Sequence, residues 1–357
     1  MRKSLDSFTR TALAALLACS LPLAATTALA AEPSKPAAKP ATQKVVASKK
    51  KKPSQQVSRY GSRRAQELAR QRQAEQARMQ ALSRLPHRVG PTEIFQNASL
   101  DLPLNLESRA AVVMHAETGE LLYSKNSART MPIASITKLM TAIIVLDARL
   151  PLDEEITISA EDMDHLRHTT SRLAVGTRLT RGEAMLLALM SSENRAAAAL
   201  ARTYPGGTES AVAAMNRKAE ELGMTHARFA DGSGLNGQNM ASPSDLVRLV
   251  NAANSYPEIR EYSTTPEYTL LAGNRALQYR NTNGLVKTEG WDIAVSKTGF
   301  LNEAGKCLVM QAKVNETPVV IVLMDSQGRY TRIGDANRVK KWLEATATHS
   351  GLALGSH

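Results

Sequence analysis

The sequence contains very few cysteines, with only Cys19 and Cys307 among its 357 residues. Cys19 lies in an amino-terminal apolar stretch, so cleavage after Ala30 would leave one cysteine and no possible disulfide within the chain. Lys306 and Leu308 flank Cys307 on a predicted strand, which favours a buried small apolar residue over a nucleophile. Cysteine content therefore gives no evidence about the cellular compartment.

Several motifs of hydrolytic enzymes are also absent. Gly-x-Ser-x-Gly does not occur, which argues against the nucleophile elbow of an α/β-hydrolase. Neither His-Glu-x-x-His nor His-x-x-Glu-His occurs, so a zinc peptidase has no evident site. His165 and His168 lie in a polar segment without a carboxylate ligand motif, and we interpret them as surface residues. We therefore expect no metal and no other cofactor.

The first 30 residues have the features of a secretory signal peptide. Basic residues precede an apolar run, which ends in Ala28-Leu-Ala30. This pattern predicts export and cleavage after Ala30. A lipoprotein site ending at Cys19 is an alternative, but the apolar run continues well past that cysteine. No further transmembrane span is expected after the leader.

Residues 98–357 are numerous enough to form a substantial core. Their sequence predicts an opening hairpin, a helix-rich middle, strands over 305–314 and 318–324, and a closing helix over 330–347. This order suits an antiparallel sheet with helices packed on it, in the α/β (α+β) class. A glycine-rich segment that includes Ser233 and Gly234 is interpreted as a turn bordering the cleft, where these two residues are candidates for shaping the substrate groove.

The first of three short motifs is Ser135-Ile-Thr-Lys138. Apolar residues at helical spacing follow the serine, which places it in the first turn of a helix over 135–149. Residues three apart lie on one helix face, so we expect Lys138 beside the Ser135 hydroxyl. A neutral lysine can activate a serine nucleophile, and burial together with a second cation, Lys297, would lower its pKa. The alternative is a capping serine followed by a surface lysine.

The second motif is Ser192-Glu-Asn194, at the junction of helices predicted over 181–190 and 194–204. Such a junction can present a hydroxyl and an amide into a cleft. Ser192 is therefore a candidate for relaying a proton to a leaving group, and Asn194 for holding a substrate backbone. The alternative is that both residues cap helices, because serine and asparagine are preferred there.

The third motif, Lys297-Thr-Gly299, lies on a β-rich segment. Gly299 would let a substrate backbone approach the strand closely. Lys297 and Thr298 are candidates for binding a free carboxylate through charge and hydrogen bonds. We expect the backbone N–H groups of Phe300 and Ser135 to form an oxyanion hole. The alternative is a strand that simply ends at a glycine turn.

Each motif is weak alone, since Ser48 and Lys51 also fit Ser-x-x-Lys, and Ser124 and Asn126 also fit Ser-x-Asn. The three motifs in this order, however, resemble those of the penicillin-binding and β-lactamase superfamily. The resemblance covers about residues 98–345. The segment 110–125 resembles the opening hairpin of the D-alanyl-D-alanine peptidases. The segments 131–141, 191–197 and 297–310 resemble the soluble D-alanyl-D-alanine endopeptidase branch of the low-molecular-weight penicillin-binding proteins.

The resemblance implies a β-lactamase/transpeptidase-like fold with the active site between the sheet and the helical region. It implies a serine D,D-peptidase that cuts D-alanyl–diaminopimelate cross-links between peptidoglycan stem peptides through an acyl-enzyme on Ser135. In this mechanism Lys138 is the base and Ser192 passes a proton to the departing amine. β-Lactam antibiotics are expected as covalent inhibitors. No Glu-x-x-Leu-Asn sequence is present, so antibiotic hydrolysis is not expected.

Two alternatives stay open on the same fold. One is a D-alanyl-D-alanine carboxypeptidase that trims pentapeptides, and the other is a wall-binding protein with low turnover. Because the chain ends soon after the predicted closing helix, we expect neither the extra β-domain nor the amphipathic anchor of many D,D-carboxypeptidases.

Residues 31–97 carry most of the positive charge of the chain. They hold 15 lysines and arginines against 4 acidic residues, and the leader adds +2 to the total of +12, so residues 98–357 carry about −1. The composition predicts a tether that is disordered or partly helical. Two interpretations stay open: a flexible spacer, or contact with anionic wall polymers or a membrane surface. The expected compartment is the periplasm, so nucleic acid is not an expected partner.

Overall fold

The structure, a computed structural model, describes residues 103–354. The predicted leader, the basic tether and the boundaries at residues 30 and 97 lie outside the described residues and stay predictions. Within 103–354, no helix has the length and apolar character needed to cross a membrane.

Eleven strands occur among the described residues. In chain order they are β1 (Ala110–His115), β2 (Leu121–Lys125), β3 (Met131–Pro132), β4 (Glu155–Thr157), β5 (Arg178–Thr180), β6 (Met240–Ala241), β7 (Glu267–Ala272), β8 (Arg275–Arg280), β9 (Asp292–Leu301), β10 (Gly305–Val314) and β11 (Thr317–Ser326). Five of them form one antiparallel sheet in the order β2-β1-β11-β10-β9, and the others form three two-stranded pairs. Strand β9 is therefore an edge strand of the main sheet.

The α-helices of the described chain are α1 (Thr137–Asp147), α2 (Arg181–Met190), α3 (Asn194–Arg202), α4 (Gly207–Glu221), α5 (Pro243–Asn254), α6 (Pro257–Thr264) and α7 (Thr331–Leu354). Helix α2 begins at a capping box, in which Thr180 and Glu183 each bind the backbone N–H of the other. Helix α5 begins in the same way with Ser242 and Asp245.

Both faces of the main sheet are covered, so its central strands are continuously apolar rather than alternating. Along β11, all residues from Val319 to Met324 are buried. Val309 of β10 faces the large core formed with the helical region, whereas its neighbours Leu308 and Met310 face a second core that includes Trp342 of α7. The edge strand β9 packs against helix α6, so it lies where the sheet meets the helical region.

The predicted α+β arrangement is confirmed, including the opening hairpin and the helix over 181–190. The helix predicted over 194–204 ends at Arg202, and the closing helix extends to Leu354 rather than to residue 347. No proline interrupts this last segment, so the helix can continue past residue 347. The short pairs of strands were not predicted from the sequence.

Candidate active site

Ser135 lies in a single 3₁₀ turn, Ala134–Ile136, that leads directly into α1. It is not a capping residue, because the capping positions of the turn and the helix are Ile133 and Ile136, and neither makes a side-chain cap. Lys138, in the first turn of α1, is only 1% exposed. The alternative of a capping serine beside a surface lysine is therefore wrong.

The amine of Lys138 lies among three oxygen atoms. Its Nζ is 2.9 Å from Ser135 Oγ, 2.9 Å from Asn194 Oδ1 and 2.5 Å from the carbonyl oxygen of Ser233. The structure thus brings residues from the first and second motifs together with the glycine-rich segment. The contribution of a backbone carbonyl could not be assigned from the sequence, although that segment was expected to border the cleft.

Both buried lysines have perturbed acidities. Burial lowers the pKa of Lys138 to about 8, and the negative charges of Asp231 and Glu193 oppose this shift. Burial, with the positive charges of Lys138 and Arg332, also holds the pKa of Lys297 well below its usual range. Burial is thus what lowers the pKa of Lys138. The expected effect of a neighbouring positive charge is found on Lys297 instead, whose pKa is lowered by Lys138. At neutral pH a useful fraction of Lys138 is neutral, as a base requires.

Ser192 faces the third motif. The Nζ of Lys297 donates to Ser192 Oγ at 3.0 Å. Ser192 has a φ of +60°, a left-handed conformation that costs a non-glycine residue about 1 kcal/mol or more. Helix α3 is capped by Glu193, the middle residue of the motif, whose carboxylate accepts from the N–H of Arg195. The alternative that the serine and asparagine of this motif act as caps is therefore wrong.

Asn194 is the first residue of α3, and its amide group makes two contacts inside the protein. Its Oδ1 accepts from Lys138, and its Nδ2 donates to Thr169 Oγ1 at 3.1 Å. Its role in holding a substrate backbone stays a prediction. Sequence analysis did not identify Thr169 as a site residue, because its polar segment carries no recognisable motif or periodicity.

Strand β9 packs closely against the turn that carries the serine. A Cβ on Gly299 would lie 2.9 Å from the carbonyl oxygen of Ile133 and 3.3 Å from the nitrogen of Ser135. Gly299 therefore permits close approach of the protein's own backbone, whereas a substrate backbone was expected. Thr298 donates to the hydroxyl of Thr282 at 2.6 Å, and Phe300 is 54% exposed.

The loop that supplies the Ser233 carbonyl is shaped by one carboxylate. Asp231 accepts from the backbone N–H groups of Ser233, Gly234 and Asn236, at 2.5 to 2.7 Å. Gly234 has a φ of +82° and lies directly against Ala134, which itself has a φ of +50°. The strained conformation before Ser135 is thus supported from two sides, by Gly234 and by β9.

We expect Gly234→Ala to disrupt this contact. A Cβ there would lie 2.1 Å from the Ala134 carbonyl oxygen, so the clash adds to the cost of the positive φ and the free energy of unfolding should fall by more than about 2 kcal/mol. Gly176→Ala is the matched control, since Gly176 has a φ of +86° but open space around it. Its expected cost is about 1 kcal/mol. Equal losses for the two variants in urea unfolding would contradict the proposed packing.

No group of three or more histidine, cysteine or acidic residues is placed to bind a metal within the part of the chain that the structure describes. His165 and His168 are exposed. Cys307 is buried in the core, and burial raises the pKa of its thiol to about 11. A thiol with this acidity is a poor nucleophile at neutral pH. The residues suited to covalent chemistry are therefore those around Ser135.

Comparison with known proteins gives one consistent result. The model of the peptidase S11 family, described as D-alanyl-D-alanine carboxypeptidase, matches residues 96–328. Proteins named D-alanyl-D-alanine endopeptidase are 48% identical over 249 residues in Pseudomonas aeruginosa (69% of this chain and 80% of that one) and 42% identical over 270 residues in Escherichia coli (75% and 86%). The crystal structure of the Streptomyces K15 DD-transpeptidase is similar with a TM-score of 0.63 and 28% identity, over 68% of this chain and 98% of that one.

Proposed function

Because the chain belongs to the D-alanyl-D-alanine carboxypeptidase family of serine peptidases, we propose that it is a D,D-endopeptidase that hydrolyses D-alanyl–diaminopimelate cross-links in peptidoglycan. The observation that carries the proposal is the contact of 2.9 Å between the buried amine of Lys138 and Ser135 Oγ, beside the Ser192–Lys297 pair. The names of the relatives support endopeptidase as the specific activity.

In the proposed acylation step, the neutral amine of Lys138 takes the proton of the Ser135 hydroxyl. The serine oxygen then attacks the carbonyl carbon of the D-alanine, and a bond forms between them. The backbone N–H groups of Ser135 and Phe300 are proposed to stabilise the resulting oxyanion. Asn194 is proposed to hold the substrate backbone through the second N–H of its amide, while the first N–H stays on Thr169.

The leaving group departs on the side of Lys297. Ser192, whose hydroxyl oxygen accepts from the Lys297 amine at 3.0 Å, is proposed to give its proton to the departing nitrogen as the carbon–nitrogen bond breaks. It is proposed to take a proton back from the ammonium of Lys138, so that the proton removed from Ser135 ends on the leaving amine and Lys138 is neutral again. The carboxylate beyond the scissile bond is proposed to bind Lys297 and Thr298. A bound anion would raise the pKa of Lys297 and favour its charged form, because the two opposite charges attract each other in the buried site. Water then releases the acyl group and regenerates Ser135.

The same site chemistry fits β-lactams, whose strained amide would acylate Ser135 in the same way. We propose that these antibiotics are covalent inhibitors and that the enzyme acts in the periplasm, with the basic segment 31–97 as a spacer or a contact to anionic wall polymers or membrane surface. Its charge of +11 supports attraction to such polyanions.

Digestion of defined muropeptides tests the endopeptidase proposal. We expect the purified protein to convert a D-alanyl–diaminopimelate cross-linked dimer into two monomers, measured by chromatography and mass spectrometry. A monomeric pentapeptide assayed in parallel tests the carboxypeptidase alternative, which the family description favours. Release of D-alanine from the pentapeptide with an intact dimer would replace endopeptidase by carboxypeptidase. Binding of both peptides without cleavage of either would contradict both activities and favour a wall-binding protein.

A further inference from the structure

The contacts of Lys138 specify where its lone pair points. A neutral amine has two N–H groups to donate and one lone pair to accept a proton. The carbonyl oxygen of Ser233 can only accept, so it takes one N–H. If Asn194 presents its oxygen, it takes the other N–H, and the lone pair is left for the hydroxyl of Ser135.

This arrangement depends on the orientation of the Asn194 amide. If the amide were rotated by half a turn, its NH₂ group would face Lys138 and would compete with Ser135 for the lone pair of the amine. The amide of an asparagine has no intrinsic preference between the two orientations, so its other contact must select one.

That contact is with Thr169. The Thr169 hydroxyl carries a single proton, which it donates to Asp164 Oδ2 at 2.7 Å. Its oxygen can therefore only accept from Asn194 Nδ2, 3.1 Å away. An asparagine oxygen at this position would face a lone pair and would be repelled.

The carboxylate of Asp164 can in turn only accept hydrogen bonds, because its backbone contacts keep it ionised. Its carboxylate accepts from the backbone N–H groups of Leu166, Arg167 and Thr169, each at 2.9 Å. These hydrogen bonds outweigh the opposing effect of partial burial and lower the pKa of Asp164. The carboxyl therefore stays ionised and cannot donate to Thr169 near neutral pH.

We propose that Asp164 and Thr169 are positioning residues for the catalytic base, because they fix the Asn194 amide so that the lone pair of Lys138 points at Ser135. The inference rests on the proposed role of Lys138 in the peptidase. Neither residue touches Lys138 or Ser135 directly in the described hydrogen bonds, and both act through Asn194.

The orientation also affects the proton affinity of Lys138. The charged groups that influence the pKa of this amine are Asp231 from the glycine-rich loop and Glu193 from the α2–α3 junction. Replacing Thr169 alters none of these charges. An amide rotated to present NH₂ would withdraw an acceptor from the protonated amine, so the pKa of Lys138 should fall further.

Thr169→Val tests the proposal, because valine keeps the shape of threonine and removes its hydroxyl. The readout is the rate constant of acylation by fluorescent penicillin, measured across pH in the full-length protein. We expect the maximal rate constant to fall about tenfold, as for the loss of one good hydrogen-bonded arrangement. We also expect the acid limb of the profile to move to lower pH.

Two further variants make the result specific. Thr169→Ser keeps the hydroxyl and should restore both the rate and the acid limb of the wild-type protein. Thr170→Val is the matched control and should leave both unchanged, because Thr170 is exposed and makes no side-chain hydrogen bond with any residue that the structure describes.

The proposal is overturned if Thr169→Val matches the wild type in rate and pH profile. It is also overturned if the rate falls without a shift of the acid limb, or if Thr169→Ser is impaired to the same extent, since either result indicates a purely structural role. Failure of the proposed function gives a different result, namely no acylation of the wild-type protein itself.

Discussion

Ser135→Ala should abolish cleavage of the cross-linked dimer, with a loss of more than about 10⁴-fold in turnover. No other hydroxyl lies against the amine of Lys138 in the hydrogen bonds of the described residues, so an acyl-enzyme cannot form elsewhere in this site. The side chain of Ser135 is only partly buried, and its loss should leave the fold intact.

Ser124→Ala is the matched control for this variant. Ser124 belongs to the chance Ser-x-Asn match on β2, and its hydroxyl donates only to Ser127 in an exposed position. It should retain full activity. Cleavage by Ser135→Ala within tenfold of the wild-type rate would contradict the assignment of the nucleophile.

Lys138→Met should reduce the acylation rate by about 10²- to 10⁴-fold, the range typical of a lost general base. Methionine has nearly the length of lysine and no amine, so it leaves little empty space in the core. It removes the cost of burying an amine but leaves the Ser233 carbonyl oxygen without that donor, so we expect only a small change in thermal stability. A rate within threefold of the wild type would show that another group activates Ser135.

The pKa of Lys138 determines the expected pH dependence of acylation in the wild-type protein. Only the neutral amine can accept the serine proton, and burial lowers its pKa to about 8. The acylation rate should therefore rise as pH increases towards about 8 and become level above it. Lys138→Met should lack this limb. A wild-type profile that is flat between about pH 6 and 9 would contradict the role of Lys138.

Some of the site follows from local rules that the sequence displays. Helical spacing alone places Lys138 beside Ser135, and the apolar runs locate α2 and the long strands of the sheet. These features depend on contacts between residues near in sequence or on the burial of whole segments. The spacing of apolar residues along the sequence reveals both.

Other parts of the site depend on contacts between distant segments. The left-handed conformations of Ala134 and Ser192 oppose the local preferences of these residues, and close packing by Gly234 and β9 supports the first of them. Thr169 reaches Asn194 from a segment without periodicity, so no sequence pattern indicates its role. The choice between capping and catalytic interpretations likewise required the structure, because both use the same residue types.

Covalent capture of penicillin tests the central claim most directly. The purified protein and its Ser135→Ala variant are incubated with fluorescent penicillin, separated on a denaturing gel, and digested so that mass spectrometry can locate the label. The account predicts a stable label on the peptide that contains Ser135 and no label in the variant. A folded wild-type protein that takes up no label, or a variant that is labelled as well as the wild type, would contradict the identification of Ser135 as the nucleophile.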